Sequence, residues 1–186
     1  MRIISGHLKG KKINYLKNSN TRPLKDSVKE NIFNIIKHSN YINVNIENSN
    51  ILDLYSGIGS FGIESISRGA QKVTFVEQDF KAIKILKNNL FKLSINDKVE
   101  ILNNSINDDL IKNIRDKYQI FFLDPPFSDT GFLQILKLIK KYKIFKKKHI
   151  IIIHREKKSK DAINDFLKII DTKQYGRSKI IFGIFN

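Results

Sequence analysis

From Ile51 onward, short apolar runs alternate with amphipathic stretches, and this rhythm constrains the fold more than any other feature. The runs cover 51–55, 73–77, 98–102, 119–123, 149–154 and 179–185. Helical patterns lie between them, over roughly 60–69, 79–93, 107–116, 130–142 and 158–168. Strands that are apolar on both faces must be covered on both faces, and regular β-α alternation supplies the cover. The expectation is a mostly parallel sheet with helices on either side. The last run, "SKIIFGIF", follows the turn-like Tyr175-Gly176 and is expected to run antiparallel at or near an edge. Ligands of open α/β sheets bind beyond the C-terminal strand ends. Functional residues should therefore follow positions 55, 77, 102 and 123.

Residues 1–45 read as an N-terminal extension and 46–186 as the main α/β domain. The extension begins with two short strands, Arg2–Ile4 and Lys11–Tyr15, turned through Gly6 and Gly10 into a small hairpin. A helix follows, with Val28, Ile32, Ile35 and Ile36 on one face. Ser27 and Glu30 have the spacing of a capping box, and Pro23 offers an earlier start.

Composition narrows the partners. There are 34 basic and 18 acidic residues, for a net charge of +16, and such an excess points to a polyanion, most often nucleic acid. Only six of the basic residues are arginine, and Lys, Asn and Ile are abundant, so part of the excess reflects compositional bias. The lysine-rich stretch 137–148 is a candidate patch, although much of it reads as a solvated helix face. The chain has no cysteine, which excludes disulfides, thiolate zinc sites, iron–sulfur clusters and cysteine nucleophiles. No metal is expected. The apolar runs are too short to span a bilayer, so a cytoplasmic monomer without membrane contact is the expectation.

The first strand end reads "DLYSGIGSFGIE" and contains Gly57, Gly59 and Gly62 in a G-x-G-x-x-G pattern. Such glycines let a backbone approach a ligand at a helix N-terminus, and dinucleotides and S-adenosylmethionine both use them. Here the polar Asp53 and Ser56 precede Gly57. A carboxylate beside the loop suits an ammonium group and repels a pyrophosphate, which favours the sulfonium amino acid. Glu77 ends the second strand, placed to accept hydrogen bonds from ribose hydroxyls. Ser105 ends the third, where an adenine edge could be contacted.

The fourth end is Asp124-Pro125-Pro126-Phe127. Neither proline has an N–H, so beyond Asp124 the stretch presents only acceptors, the carboxylate and the carbonyls. Beside the flat face of Phe127, these acceptors suit a planar base with an exocyclic amine. Gripping the amine hydrogens turns the nitrogen lone pair toward an electrophile, and Asp124 can receive the departing proton.

With D-x-x-x-G-x-G, the acid at the second strand end and (D/N)-P-P-(F/Y), the chain resembles class I S-adenosylmethionine-dependent amino-methyltransferases. "RIISGHLKGKKI", "TRPLKDSVKENIFNII", "SRGAQKVTFVEQD" and "YGRSKIIF" narrow the resemblance to the bacterial 16S rRNA guanine-N2 methyltransferase family. The resemblance implies a Rossmann-like, mostly parallel seven-stranded sheet. It also implies a cofactor cradle of Asp53, Gly57 and Gly59, with the ribose on Glu77. Asp124, Pro125 and Phe127 would grip and stack the guanine, and Arg22, Pro23 and Glu30 would lie near cofactor or substrate. Many relatives have Asp where this chain has Ser105. The implied partner is 16S rRNA or the small ribosomal subunit.

Three alternatives remain at this level. An adenine-N6 or cytosine-N4 DNA methyltransferase would use the same acceptor loop, but the chain has little room for a target-recognition domain. A non-catalytic rRNA assembly factor predicts decay of the glycine loop or of DPPF, and both are present. A nicotinamide dehydrogenase has no use for DPPF.

Overall fold

A computed structural model describes residues 1–15 and 24–186. Seven strands form one sheet: β1 (Asn50–Leu54), β2 (Lys72–Glu77), β3 (Val99–Asn103), β4 (Tyr118–Leu123), β5 (Phe145–Glu156), β6 (Lys168–Tyr175) and β7 (Ser178–Ile184). Their order is β3-β2-β1-β4-β5-β7-β6. The first five are parallel, and β7 runs antiparallel between β5 and the edge strand β6.

Strand periodicity explains the two-sided cover, because successive side chains point to opposite faces. Ile51, Phe75, Ile120, Phe122, Ile150 and Ile152 enter one core with α1 (Asp26–His38), α2 (Ser60–Ser67) and α3 (Phe80–Leu93). Leu52, Leu54, Val76, Phe121, Leu123, Ile151 and Ile153 enter the other, under α5 (Phe132–Tyr142) and the short α4 (Asp108–Asn113). On the first face Phe61 stacks between Phe33 of α1 and Phe122 of β4, at 5.0 and 4.1 Å.

The N-terminal segment is fastened to α2 by a buried carboxylate. Glu64 accepts from the amides of Ile4 (2.8 Å) and Ser5 (3.0 Å) and pairs with Arg68 (2.8 Å). The buried Lys29 ammonium of α1 stands 3.6 Å from Glu64 and donates to Arg2 O and Ser60 Oγ, both at 3.3 Å. Burial pushes the Lys29 pKa down, and the Glu64 charge works against that shift.

Several expectations are corrected. The two N-terminal segments pair as a hairpin but not as regular strands. One antiparallel bridge joins Arg2 to Lys12, flanked by Ile3 N to Lys11 O, Gly10 N to Ile3 O and Ile13 N to Met1 O, and Ile4 and Leu8 bond to Glu64 and Ser67. The Ser27–Glu30 capping box does not form. Lys25 is the N-cap, without a side-chain bond, and Ser27 lies inside the helix. The expected helix over 158–168 is absent. Ile163 and Leu167 are buried from a single 3-10 turn at Ile163–Asp165, which satisfies their i, i+4 spacing without a helix. The chain then enters β6, whose register shift between Ile169 and Asp171 and lack of any fully buried side chain blur the alternation. Among the described residues no helix is long and apolar enough to cross a membrane.

Candidate active site

Register assembles the site. In the parallel sheet Leu54 pairs with both Val76 and Leu123, and Leu123 pairs with Ile153. The next residue on each strand, Tyr55, Glu77, Asp124 and His154, therefore emerges at the same C-terminal edge. A cavity of about 640 Å³ opens there, within the usual range for a cofactor site. Asp53, Ser56, Gly57, Glu77, Ser105, Asp124, Pro125, Pro126 and Phe127 all line it. Gly59 stands behind the wall as the α2 N-cap. Its φ of 83° is left-handed, and a Cβ there would collide with Leu86. Gly62 serves packing, since a Cβ would strike the Phe75 ring. Glu30 lies on α1 and is exposed. Arg22 and Pro23 lie outside the described residues.

Glu77 ties the first two strand ends together. Its Oε2 accepts from Gly57 N, and its Oε1 accepts from the amides of Gln78 and Asp79, all at 2.8 Å. Asp53 is buried. Its Oδ2 accepts from Gly62 N at 3.0 Å, and its Oδ1 has no partner among the described residues, a condition shared by the buried Ser56 Oγ. Burial pushes the Asp53 carboxyl well up, past what the Gly62 bond restores, and Asp124 and Glu77 add to the rise. A buried acceptor without a donor costs about 1–3 kcal/mol, so this corner is incomplete until a donor arrives.

Four carboxylates, Asp53, Glu77, Asp124 and Asp129, line the cavity, and no lysine or arginine does among the described residues. In a chain of net charge +16 this is an inverted patch. It suits a cationic ligand such as a sulfonium amino acid and opposes a pyrophosphate.

At the fourth strand end, Asp124 Oδ1 lies 2.8 Å from His154 Nδ1, and His154 Nε2 lies 2.9 Å from Ser178 Oγ. With the proton on Nδ1, the ring donates to Asp124 and accepts from the serine hydroxyl. Oδ2 of Asp124 is left without a donor among the described residues. The edge of one ring meets the face of the other where Phe127 and His154 pack, with centroids 5.6 Å apart.

The expected acceptor rim needs a correction. Arg155, only 1% exposed, donates to the carbonyls of Pro126 and Phe127 at 3.0 Å each. Two carbonyls are thus occupied, and the acceptors that remain are Asp124 and the Pro125 carbonyl, to which no described residue donates. The other edge of the guanidinium pairs with Asp161 (2.9 and 3.1 Å), and its face covers Phe132 at 4.6 Å. Tyr55, at a left-handed φ of 59°, donates its hydroxyl to Asp129 Oδ2 at 3.0 Å. Burial pushes the Tyr55 phenol up, with the Asp129 charge adding, so it stays a donor. Asp129 in turn donates its amide to Pro126 O at 2.8 Å.

His154, Arg155, Tyr55 and Asp129 were not anticipated. A signal existed: "IIIIHRE" ends an apolar strand in polar residues, as the other functional strand ends do.

Asp53→Asn is a direct test of the orphaned carboxylate. The amide can keep the Gly62 bond while removing a charge that folding disfavours. A raised folded-state pKa means that the native state binds the extra proton more readily, so stability contributed at Asp53 falls as pH rises above the unfolded value near 4. The ligand-free variant should therefore melt a few degrees higher at pH 7.5, the scale of about 1 kcal/mol at this length. Cofactor affinity should fall in the same sample by calorimetry.

The sheet order, with its antiparallel β7, and the glycine loop and DPPF motif at its C-terminal edge define a Rossmann-like class I methyltransferase fold. The chain belongs to the family described as Conserved hypothetical protein 95, which matches residues 1–184. It is 35% identical over 185 residues to ribosomal RNA small subunit methyltransferase D of Buchnera aphidicola subsp. Baizongia pistaciae, covering 100% of this chain and 91% of the relative. Identity to the protein of that name from Haemophilus influenzae is 34% over 160 residues, covering 84% and 79%. A solved Haemophilus influenzae structure superposes with a TM-score of 0.77 at 29% identity, covering 98% of this chain and 96% of that one.

Proposed function

We propose that this protein methylates 16S rRNA, transferring a methyl group from S-adenosylmethionine to the N2 amine of a guanine. One observation carries the reading: an acidic cavity with an unpaired Asp53 oxygen opens onto the acceptors of Asp124 and Pro125. The names of the relatives supply the rRNA, and the net charge of +16 fits it, since phosphates give sequence-independent affinity.

S-adenosylmethionine supplies a methyl group on a positively charged sulfur. Asp53 Oδ1 and Ser56 Oγ are the groups that would hold its amino-acid end. Glu77 Oε2, beside its bond to Gly57, would take a ribose hydroxyl, and Ser105, which lines the cavity, would contact the adenine edge. Asp124 Oδ2 and the Pro125 carbonyl would each accept one N–H of the guanine amine, with Phe127 stacked on the base. With both N–H bonds so held, the nitrogen lone pair would be turned toward the methyl group that the cofactor supplies, and the nitrogen would give up a proton on transfer. Asp124 is the acceptor in place, and His154 fixes its orientation through Oδ1. Positioning and charge complementarity do most of the work.

The test uses labelled S-adenosylmethionine with unmodified small subunits and with naked 16S rRNA, followed by nucleoside analysis. Label in N2-methylguanosine is expected. Label in N6-methyladenosine, or none in either substrate, overturns the reading.

A further inference from the structure

We propose that the outer face of α3 is an RNA-docking surface that leads a strand toward the cavity mouth; this rests on the RNA reading above. The helix begins directly after Glu77-Gln78-Asp79, at the edge of the site. Its inner face, Ala82, Ile83, Leu86, Asn89, Leu90 and Leu93, is buried. Along its outer face run Phe80, Lys84, Lys87 and Phe91, at i, i+4, i+7 and i+11, which is one line on a helix. Lys81, Asn88 and Lys92 flank the line, and all seven residues are exposed.

Folding does not account for this face. Phe80 is 71% and Phe91 75% exposed, and they are two of the four exposed large hydrophobic side chains among the described residues. A third, Tyr15, follows Asn14, which exchanges two hydrogen bonds with Asn89 of this helix (2.8 and 3.1 Å). Lys81 in the first turn opposes the helix dipole, and the helix contains no acidic residue to balance its four lysines. Two solvent-facing phenyl rings spaced among ammonium groups gain nothing in water. They fit a single-stranded polyanion, whose bases stack on aromatic rings while its phosphates meet the lysines.

Location selects this patch over the lysine run 146–148 of the lysine-rich stretch. Lys146, Lys147 and Lys148 stand at the start of β5, at the N-terminal edge of the parallel strands and opposite the cavity. The α3 line starts at the cavity edge and extends about 16 Å from it. Phe80, Lys84, Lys87 and Phe91 do not line the cavity, so they can be altered without touching the cofactor cradle.

The test measures fluorescence anisotropy of labelled fragments tiling 16S rRNA, without cofactor, across a salt series. Lys84→Glu/Lys87→Glu should weaken binding about tenfold or more near 0.1 M salt and lower the salt slope by about 1–2. Phe91→Ser should weaken it about fivefold or more with the slope unchanged. The control Lys147→Glu/Lys148→Glu should change affinity less than about threefold, a bound set by screening over a Debye length. Circular dichroism confirms that each variant is folded. Wild-type affinity in the α3 variants, or an equal loss in the control, overturns the proposal. So does a change in sedimenting mass without a change in RNA affinity, which would make the face a contact between copies of this chain. If the α3 variants lose RNA affinity but wild-type protein methylates no rRNA, only the catalytic reading falls. If rRNA is methylated and the α3 variants bind as wild type, only the docking surface falls.

Discussion

Asp124→Ala should lower kcat by about a thousandfold or more, while S-adenosylmethionine affinity stays within about threefold of wild type. Loss of one positioned acceptor typically costs a factor of about 100–1,000, and loss of a general base a comparable amount. Both proposed roles fall on one carboxylate whose Oδ1 is held by His154 at 2.8 Å, while Oδ2 would be left for the amine. Asp124→Asn separates the roles. The amide oxygen can still accept from His154 or from the base, but it cannot take a proton at neutral pH. Activity of Asn within about tenfold of wild type would assign Asp124 to positioning alone. Normal turnover in the Ala variant would remove Asp124 from the chemistry. His154→Gln should fall between the two, since it frees the carboxylate to rotate without deleting it.

Arg155→Met should have the largest effect on stability. The guanidinium is buried, and its loss strands Asp161, whose side chain is only 6% exposed. Breaking a buried pair from one side costs about 3–5 kcal/mol, which at this chain length lowers Tm by about 10 °C. Activity should fall further than folding alone explains, because Phe127 O loses its donor and Pro126 O is left with the Asp129 amide alone. Arg155→Met with Asp161→Leu resolves the two effects. Removing both charges should recover most of the Tm and little of the kcat. An unchanged Tm in the single variant would show that the pair does not stabilise the fold. Full activity in the double variant would show that the carbonyl contacts do not position the motif.

What could be read from the sequence divides along physical lines. Strands such as 119–123 and 149–154 were legible because burial on both faces leaves unbroken apolar runs, and the runs located the strand ends where Asp53, Glu77 and Asp124 cluster. β6 was not legible: an edge strand with no fully buried side chain carries no such run, and Ile163 and Leu167 imitate a helix next to it. The acceptor rim was half legible. Proline's missing N–H is a property of the residue. Arg155 reaching the two carbonyls depends on β4 and β5 lying side by side, a fact of register that no local pattern records. His154 was hidden for the same reason, although its place after four isoleucines marked it as a strand end.

The fastening at Glu64 has a consequence for how the chain is made. Ile4, Ser5 and Asn14 leave the ribosome early, yet their partners Glu64 and Asn89 lie 60, 59 and 75 positions later. At about 5–20 residues per second, those amides wait several seconds for the groups they will bond. The opening segment is thus synthesised early and docked late, clasping α2 and α3 only after both have emerged. Pausing translation between codons 15 and 64 should leave the segment open to protease, and release past codon 89 should close it.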